Sequence, residues 1–282
     1  MKQDRVIVVS NETTLLPFLL EQVKGISRNS VKNLLTRRQV LVDGAPVSRH
    51  DHPLRPGMKV EILAPGAKAP PFPILYEDDE LLVVDKPAGL LTVATEKEKN
   101  KTAYRMASDY LKGRGQRVFI VHRLDKDTSG VLIFAKSEKV KRAYQDNWDA
   151  LVKRRAYLAL VEGRPKEPEG IIRSYLKETD THLVYSVERP GGNAREAVTG
   201  YRLLAEKGPL SLLEVELSTG RKNQIRVHMK ELGCPVTGDK KYGAALDSLG
   251  RLGLHAHEVR VTNPFTRREM TFTAPAPKGF RV

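Results

Sequence analysis

The segment with the strongest chemical character is HRLDKDTSG, which begins at His122 and sets two carboxylates among cations. It lies between two apolar, strand-like runs, so its polar side chains are expected in a loop that faces a cleft. Arg123 and Lys126 flank Asp125 and favour its ionised form. An ionised carboxylate in a cleft can attack an electrophilic carbon or remove a proton. The residues alone leave a second interpretation open, in which Asp125 bonds its own backbone in a polar turn.

The overall charge indicates the kind of partner. The chain has 282 residues, with 48 lysines and arginines, 34 aspartates and glutamates, and a formal net charge of +14. Such an excess favours a polyanionic partner, of which nucleic acid is the first candidate, and a charge kept only for solubility is the alternative.

Cys234 is the single cysteine, so no internal disulfide is expected. No signal-peptide core or membrane-spanning apolar run is found, and we expect a cytoplasmic protein without membrane association.

A proline-rich stretch divides the chain. Residues 64–73 read APGAKAPPFP, and four prolines within ten residues are incompatible with a helix or a central strand. We therefore predict a small domain over residues 1–64, a linker over residues 65–73 and a large domain over residues 74–282.

The pattern of the small domain is helix, helix, hairpin. Thr13 or Thr14 can cap the first helix, Ser27 can cap the second, and Asp43-Gly44 favours a tight hairpin turn.

Basic residues gather in and around the second helix, where no acid occurs between residues 24 and 42. They are Lys24, Arg28, Lys32, Arg37 and Arg38. Arg28 and Lys32 are four positions apart and share a helix face that is separate from the apolar face. We predict that Arg28, Lys32, Arg37 and Arg38 contact RNA, and a merely solvated helix face is the alternative.

The large domain alternates short apolar runs with a few amphipathic segments. Strands are predicted at Leu81–Val84, Val131–Ala135 and Leu210–Leu217, and helices at Thr102–Leu111 and Glu138–Trp148. Many strands with few helices indicate an α+β fold, with a mixed, mainly antiparallel sheet and flanking helices.

Several ordered motifs carry a resemblance to a known family. They are LVVDKPAGLL from Leu82, HRLDKDTSG from His122, RAYLALV from Arg155, TGRKNQIRVH from Thr219 and GDKKYG from Gly238. Together they resemble the RluA/RluD family of RNA pseudouridine synthases over about residues 74–277. The stretch SRNSVKNLLTRRQVLVDGAPV from Ser27 resembles the small RNA-binding module first described in ribosomal protein S-four.

The resemblance implies a role for individual residues. Asp125 would be the catalytic residue, Arg123 would take the place of the extruded nucleotide, and Tyr157 would pack against the target base. Arg226 would pair with the catalytic carboxylate. A bidentate pair between Arg226 and Asp125 would fix the carboxylate and lower its pKa. From the residues alone, Arg226 could also form an ordinary surface ion pair, and Tyr157 could be plain core packing.

The chain departs from the family pattern at two places. Asp85 stands where asparagine is frequent, and Lys222-Asn223 replaces a more usual small residue followed by histidine. We expect the second departure to affect RNA contacts rather than chemistry.

The resemblance further implies an isomerisation of uridine to pseudouridine in structured RNA. The family acts on both ribosomal and transfer RNA, and the N-terminal module favours large-subunit ribosomal RNA as the substrate. Such a reaction needs no cofactor and no metal, and we expect a monomer. One rival is a glycosidase-like hydrolase that uses Asp125 and Asp127 as a carboxylate pair on one strand face. The other rival is a non-catalytic RNA-binding or ribosome-assembly factor.

Overall fold

The structure is a computed structural model that describes residues 5–23, 25–63, 70–112 and 114–280. Lys24 lies outside the described residues, and so do residues 64–69, which include more than half of the linker predicted over residues 65–73. The helices are α1 Leu15–Gln22, α2 Arg28–Thr36, α3 Ala103–Lys112, α4 Glu138–Asp146, α5 Trp148–Leu151 and α6 Gln224–Glu231, with a 3-10 helix at Lys240–Tyr242. The strands are β1 Arg5–Val8, β2 Thr13–Thr14, β3 Val40–Val42, β4 Ala45–Pro46, β5 Pro53–Leu54, β6 Lys59–Ile62, β7 Ile74–Glu77, β8 Leu81–Lys86, β9 Phe119–Ile120, β10 Ser129–Ala135, β11 Val152–Glu162, β12 Glu169–Glu178, β13 Val184–Val187, β14 Arg195–Lys207, β15 Leu210–Leu217, β16 Leu254–Thr262 and β17 Glu269–Thr273.

The N-terminal elements share one apolar core. A sheet of order β1-β6-β3-β4 packs with α1 and α2 around side chains that include Leu15, Leu19 and Val31. The Ser27 hydroxyl accepts a hydrogen bond from the Ser30 N–H at 3.1 Å and caps α2 as predicted. Thr14 stands at the N-cap of α1 without a side-chain cap bond.

The β3–β4 hairpin turns at Asp43 and Gly44, as the sequence predicts. Their φ angles of 48° and 76° are both positive, as the turn that fits the twist of a two-residue hairpin requires.

A large sheet forms the rest of the fold. Its order is β13-β12-β14-β15-β11-β16-β10-β8-β7, with β17 paired to β16 and β9 paired to β10. The β10–β16 pair is parallel, and the other pairs of this sheet are antiparallel. The predicted mixed, mainly antiparallel α+β fold is therefore confirmed at the level of fold class.

Helices cover both faces of the central strands. On one face, α4 packs Val140 and Tyr144 against residues of β8 and β10, and on the other face α3 packs Ala107 and Leu111 against the same two strands. Burial on both sides explains why β8 and β10 are continuous apolar runs. The predicted helix over residues 138–148 ends earlier, because the Asn147 amide donates to the Ala143 carbonyl at 3.0 Å and closes α4 before α5 begins.

Gly130 permits the parallel contact that joins β10 to β16. Its φ is 113°, and a Cβ at this position would lie 2.1 Å from the Ala256 carbonyl oxygen. A side chain is therefore excluded here.

Next to Gly130, Ser129 Oγ accepts from Arg251 Nη2 at 2.7 Å and lies 2.8 Å from His255 Nδ1. These bonds fix the start of β10, directly after the charged loop.

Among the described residues, no helix combines the length and the apolar character needed to cross a bilayer.

Candidate active site

The loop that carries Asp125 is held from the side by Thr92. Thr92 Oγ1 donates to the Leu124 carbonyl at 2.7 Å and accepts from the Leu124 N–H at 3.1 Å. The Leu124 side chain is buried in the core, and the Thr128 N–H donates to the Asp125 carbonyl at 3.3 Å. Asp125 therefore stands at a turn whose backbone is fixed on both sides.

Lys86 is a residue of this site to which the sequence analysis gave no role. It is fully buried at the end of β8, and its Nζ donates to the carbonyls of Pro87, Leu90 and Lys126 at 3.0, 2.7 and 3.0 Å. Burial lowers its pKa to about 8, while the charges of Asp127 and Asp125 act in the opposite direction. Lys86 ties the loop after β8 to the residue next to Asp125. A lysine at the end of an apolar, strand-like run is the sequence signal that could have identified it.

His122, the first residue of the HRLDKDTSG motif, has a structural role. Its Nε2 accepts a hydrogen bond from the Ile133 N–H at 3.0 Å, and its ring lies 5.3 Å from that of Trp148. Burial and the nearby Arg155 charge lower its pKa to about 4. The neutral ring therefore anchors the loop to β10.

Asp125 lines a cleft of about 690 Å³. Arg123, Tyr157 and Arg226 line the same cleft, so the structure brings together the residues that the sequence analysis assigned to the chemistry. Arg123 is exposed, and Asp125 is only partly accessible. The cleft also has Arg155, Arg221 and Lys222 in its wall. A carboxylate among cations suits the binding of a polyanionic substrate.

Burial dominates the electrostatics of Asp125. It raises the pKa of Asp125 above the ordinary aspartate value, although the charges of Arg226, Arg123, Lys222 and Lys86 act to lower it. The expectation of a lowered pKa is therefore wrong, because the desolvation cost of the carboxylate exceeds the attraction of the surrounding cations.

Arg226 forms its bidentate pair with a different carboxylate from the one expected. Its Nε donates to Asp239 Oδ2 and its Nη2 to Asp239 Oδ1, both at 2.7 Å. Among the described residues, Asp239 supplies the carboxylate that is hydrogen-bonded to Arg226. The predicted bidentate pair with Asp125 is wrong in this structure, and Arg226 acts on Asp125 through its charge.

A polar network positions the start of α6. Gln224 Oε1 accepts from Thr219 Oγ1 at 2.8 Å and from the Arg221 N–H at 2.9 Å. Its Nε2 donates to the Val198 carbonyl and to Thr199 Oγ1 on β14. The TGRKNQ segment is thus fastened to the sheet before Arg226 begins its first turn.

The departure at Lys222-Asn223 divides between two roles. Lys222 is exposed and forms an ion pair with Glu178. Asn223 is buried, with a φ of 55°, and its Oδ1 accepts from Arg226 Nη1 at 3.1 Å. Asn223 therefore supports Arg226 from within the cleft lining, and the expected effect of this departure on RNA contacts stays a prediction.

Tyr157 belongs to both the core and the cleft. It lies on β11, opposite Val215 of β15 and Ala256 of β16, and packs against two of the buried apolar clusters. Burial raises its pKa to about 12, so its hydroxyl remains protonated at neutral pH. The side chain offers the cleft an aromatic ring and a hydrogen-bond donor.

The geometry does not fit the carboxylate pair of the hydrolase alternative. Asp125 and Asp127 lie in a loop before β10 rather than on one strand face, and Asp127 is exposed outside the cleft lining. In the described part of the chain, no group of three or more His, Cys, Asp and Glu side chains is arranged to hold a metal ion.

The basic residues of the N-terminal region lie apart from the cleft lining. Arg28, Lys32, Arg37 and Arg38 are all exposed, whereas Val31 and Leu35 are buried. α2 therefore presents its cations to solvent, and its apolar face points into the core.

The sequence profile of the RNA pseudouridylate synthase family matches residues 80–231, which include both HRLDKDTSG and TGRKNQIRVH. The chain belongs to this family. An uncharacterised RNA pseudouridine synthase of Bacillus subtilis (strain 168) is 36% identical over 212 residues, which cover 74% of this chain and 70% of that protein. The ribosomal large subunit pseudouridine synthase C of Rickettsia bellii is 31% identical over 210 residues, which cover 73% of this chain and 69% of that protein.

Solved structures agree with the family. Human RNA pseudouridylate synthase domain containing 1 superposes with a TM-score of 0.62 and 26% identity, covering 76% of this chain and 87% of that one. The resemblance noted in the sequence is confirmed at the level of the family, and the chain is an enzyme of RNA pseudouridylation, which is an isomerisation.

Proposed function

We propose that this RluA/RluD-type enzyme isomerises uridines in structured RNA with Asp125 as the catalytic residue. The observation that carries the proposal is the position of the Asp125 carboxylate in a cleft that it shares with Arg123, Tyr157 and Arg226. Burial raises the pKa of this carboxylate and makes it a stronger base than an exposed aspartate, while the surrounding cations favour its ionised form.

The target uridine must leave its base stack to reach this carboxylate. Extrusion of a nucleotide costs a few kcal/mol and is cheaper in loops and bulges than in paired stems. Arg123 is exposed at the cleft, two residues before Asp125, and we assign it the space vacated by the flipped base. Its planar guanidinium can stack between neighbouring bases.

The isomerisation balances without a cofactor. The bond between N1 of uracil and C1′ of ribose breaks, the base rotates, and a bond forms between C5 and C1′. The hydrogen on C5 leaves as a proton, and N1 gains one. The Asp125 carboxylate either attacks C1′ or removes the 2′ proton to give a glycal, and both routes require its ionised form.

Tyr157 and Arg226 support this step in different ways. The Tyr157 ring lies in the cleft wall, where it can pack against the extruded pyrimidine and donate one hydrogen bond. Arg226 supplies positive charge that counteracts protonation of Asp125.

We assign RNA binding outside the cleft to the N-terminal region. Residues 1–64 form a small domain of the kind found in ribosomal protein S-four, joined by the linker of residues 65–73 to a catalytic domain over residues 74–282. Its exposed cations on and after α2 are Arg28, Lys32, Arg37 and Arg38. Clustered cations contact phosphates independently of sequence.

The proposed substrate is large-subunit ribosomal RNA rather than transfer RNA, and the enzyme acts as a cytoplasmic monomer. The name of the Rickettsia bellii relative supports the ribosomal assignment.

The test uses ribosomal and transfer RNA transcripts that carry tritium at C5 of uridine. Isomerisation releases the tritium to water and leaves no free uracil, whereas hydrolysis would release labelled uracil. Asp125→Asn should abolish tritium release while its RNA affinity stays within about threefold of the wild type, since one charge in a large interface contributes little to binding.

Asp127→Asn is the matched control, because it makes the same change on an exposed residue of the same loop. It should retain activity. Full activity of Asp125→Asn would refute the assignment of Asp125, and release by the wild type from transfer RNA alone would refute the ribosomal assignment.

A further inference from the structure

We infer that Asp239 is a positioning residue, which holds Arg226 in its place beside Asp125 and keeps the Asp125 oxygens free for the substrate. The inference rests on the proposed function, since it concerns the same cleft. It also gives a purpose to the GDKKYG motif, which supplies none of the residues that line the cleft.

The Arg226–Asp239 pair has the geometry of a rigid anchor. Both hydrogen bonds measure 2.7 Å and run in parallel from the guanidinium to the carboxylate. The Asp239 side chain is 1% exposed and that of Arg226 is 14% exposed. A bidentate bond shielded from water fixes both the position and the plane of a guanidinium.

Two further contacts hold the remaining sides of Arg226. Its Nη1 donates to Asn223 Oδ1 at 3.1 Å, and its guanidinium carbon lies 4.9 Å from the centre of the Tyr242 ring. Asn223 Nδ2 in turn donates to the Tyr242 hydroxyl at 3.1 Å. Arg226 is therefore held by a carboxylate, an amide and an aromatic face, and the amide and the aromatic residue are bonded to each other.

The backbone of the GDKKYG segment positions Asp239. The Asp239 N–H donates to the Val236 carbonyl at 3.0 Å, and the Asp239 carbonyl accepts from Tyr242 and Ala244 at 3.0 and 3.1 Å. Gly238, with a φ of 77°, lets the segment pass the Arg251 backbone, since a Cβ there would lie 2.4 Å from the Arg251 carbonyl oxygen. The motif is thus a folded support for a single carboxylate.

This support matters because two carboxylates compete for one guanidinium. A bidentate pair with Asp125 would place a hydrogen bond on each of its oxygens, and these bonds would weaken the carboxylate as a base and nucleophile. Asp239 takes the directed hydrogen bonds of Arg226, so that Asp125 experiences its charge alone. Burial acts to lower the pKa of Arg226. The bonds to Asp239 and the charges of Asp239 and Asp125 outweigh burial, so the pKa of Arg226 is raised and the guanidinium stays cationic.

The experiment compares wild type, Asp239→Asn and Asn223→Gly in tritium release across a range of pH. Asp239→Asn frees Arg226 and removes a negative charge near the cleft, and Asp125 becomes the carboxylate available for pairing. We expect kcat to fall by about 10- to 100-fold with KM within about threefold. The acid limb of kcat/KM should move down by about one pH unit or more, because a direct guanidinium contact stabilises the ionised form of Asp125.

Asn223→Gly keeps the left-handed backbone that position 223 requires and removes the amide that contacts Arg226 and Tyr242. It should lower kcat in the same direction but less, and it decides the matter if Asp239→Asn fails to fold. Glu258→Gln is the matched control. It breaks a partly buried pair with Arg154, 2.7 Å apart and outside the cleft lining, and should keep the wild-type kcat and acid limb.

The possible failures are distinguishable. A wild type that releases no tritium from any RNA overturns the proposed function. An active wild type together with a folded Asp239→Asn of unchanged kcat, or with an acid limb that is unmoved or shifted to higher pH, overturns the positioning role alone. The same holds if Asp239→Asn does not fold and Asn223→Gly behaves as wild type.

Discussion

Replacing Asp85 by asparagine should stabilise the fold at neutral pH. Asp85 lies on β8, opposite Val131 of β10, and does not line the cleft. Burial raises its pKa to about 6, even though the charges of Arg251 and Lys86 and a hydrogen bond from the Gly130 N–H act to lower it. Ionisation of this carboxyl in the folded protein therefore lowers the free energy of unfolding. An uncharged amide of the same shape avoids that loss.

The magnitude follows from the difference between the folded and unfolded pKa values. The unfolded value is about 3.9, and each unit corresponds to about 1.4 kcal/mol. A folded value of about 6 then gives a cost of about 3 kcal/mol above that pH, about half as much at pH 5, and almost none below about pH 3. The sign is that of an acid whose folded pKa is raised, so the wild type loses stability as pH rises from about 4 to about 6.

The assay is denaturation of wild type and Asp85→Asn at several pH values, followed by the fluorescence of Trp148, the single tryptophan of the chain. At about pH 7.5 the variant should unfold at a temperature about 6–10 °C higher, as expected for a gain of about 3 kcal/mol in a protein of this size. At about pH 3 the two proteins should coincide. Tritium release should be retained, since Asp85 is outside the cleft lining.

Asp79→Asn is the control, because Asp79 is an exposed acid in the β7–β8 turn and should show no such pH-dependent gain. A variant less stable than the wild type at about pH 7.5 would refute the reasoning. So would a gain that is the same at every pH, since it would come from packing rather than from ionisation.

Two further outcomes are expected. The wild-type kcat/KM should fall with decreasing pH, and the midpoint of this fall should lie above the ordinary aspartate pKa of about 3.9, because burial raises the pKa of Asp125. A midpoint at or below that pKa would show that the cations outweigh burial. Replacing Arg28 and Lys32 by alanine should weaken RNA binding and reduce the slope of log K against log salt by up to about 1.5, since about 0.7 is lost for each phosphate contact to a single strand. Replacing Lys139 and Arg142, two exposed cations on α4, should leave that slope unchanged; an equal loss in both double variants would contradict the assignment of α2.

Local sequence signals sufficed wherever the determining residues are neighbours in the chain. The Ser27 cap of α2, the Asp43-Gly44 turn and the full extent of β15 were predicted from a few adjacent positions and are confirmed. β12 was missed. Its sequence EGIIRSYLKE lacks a regular alternation, Ile171 is 75% exposed, and the strand is defined by its ladder with β14. Ladder partners distant in sequence supply information that a local window does not contain.

For the site, the motifs identified in the sequence led to Asp125, Arg123, Tyr157 and Arg226, and the structure places all of these in one cleft. The family resemblance of those motifs was needed for that, since the residues alone left Arg226 open as a surface ion pair and Tyr157 as core packing. Two properties depended on the tertiary structure: the carboxylate that Arg226 binds, and the direction in which the pKa of Asp125 moves. Asp125 and Asp239 compete for the Arg226 guanidinium only when the loop before β10, α6 and the turn after α6 have packed together. Desolvation of a carboxylate is a sum over every group around it, so it is decided by packing rather than by neighbours in the sequence.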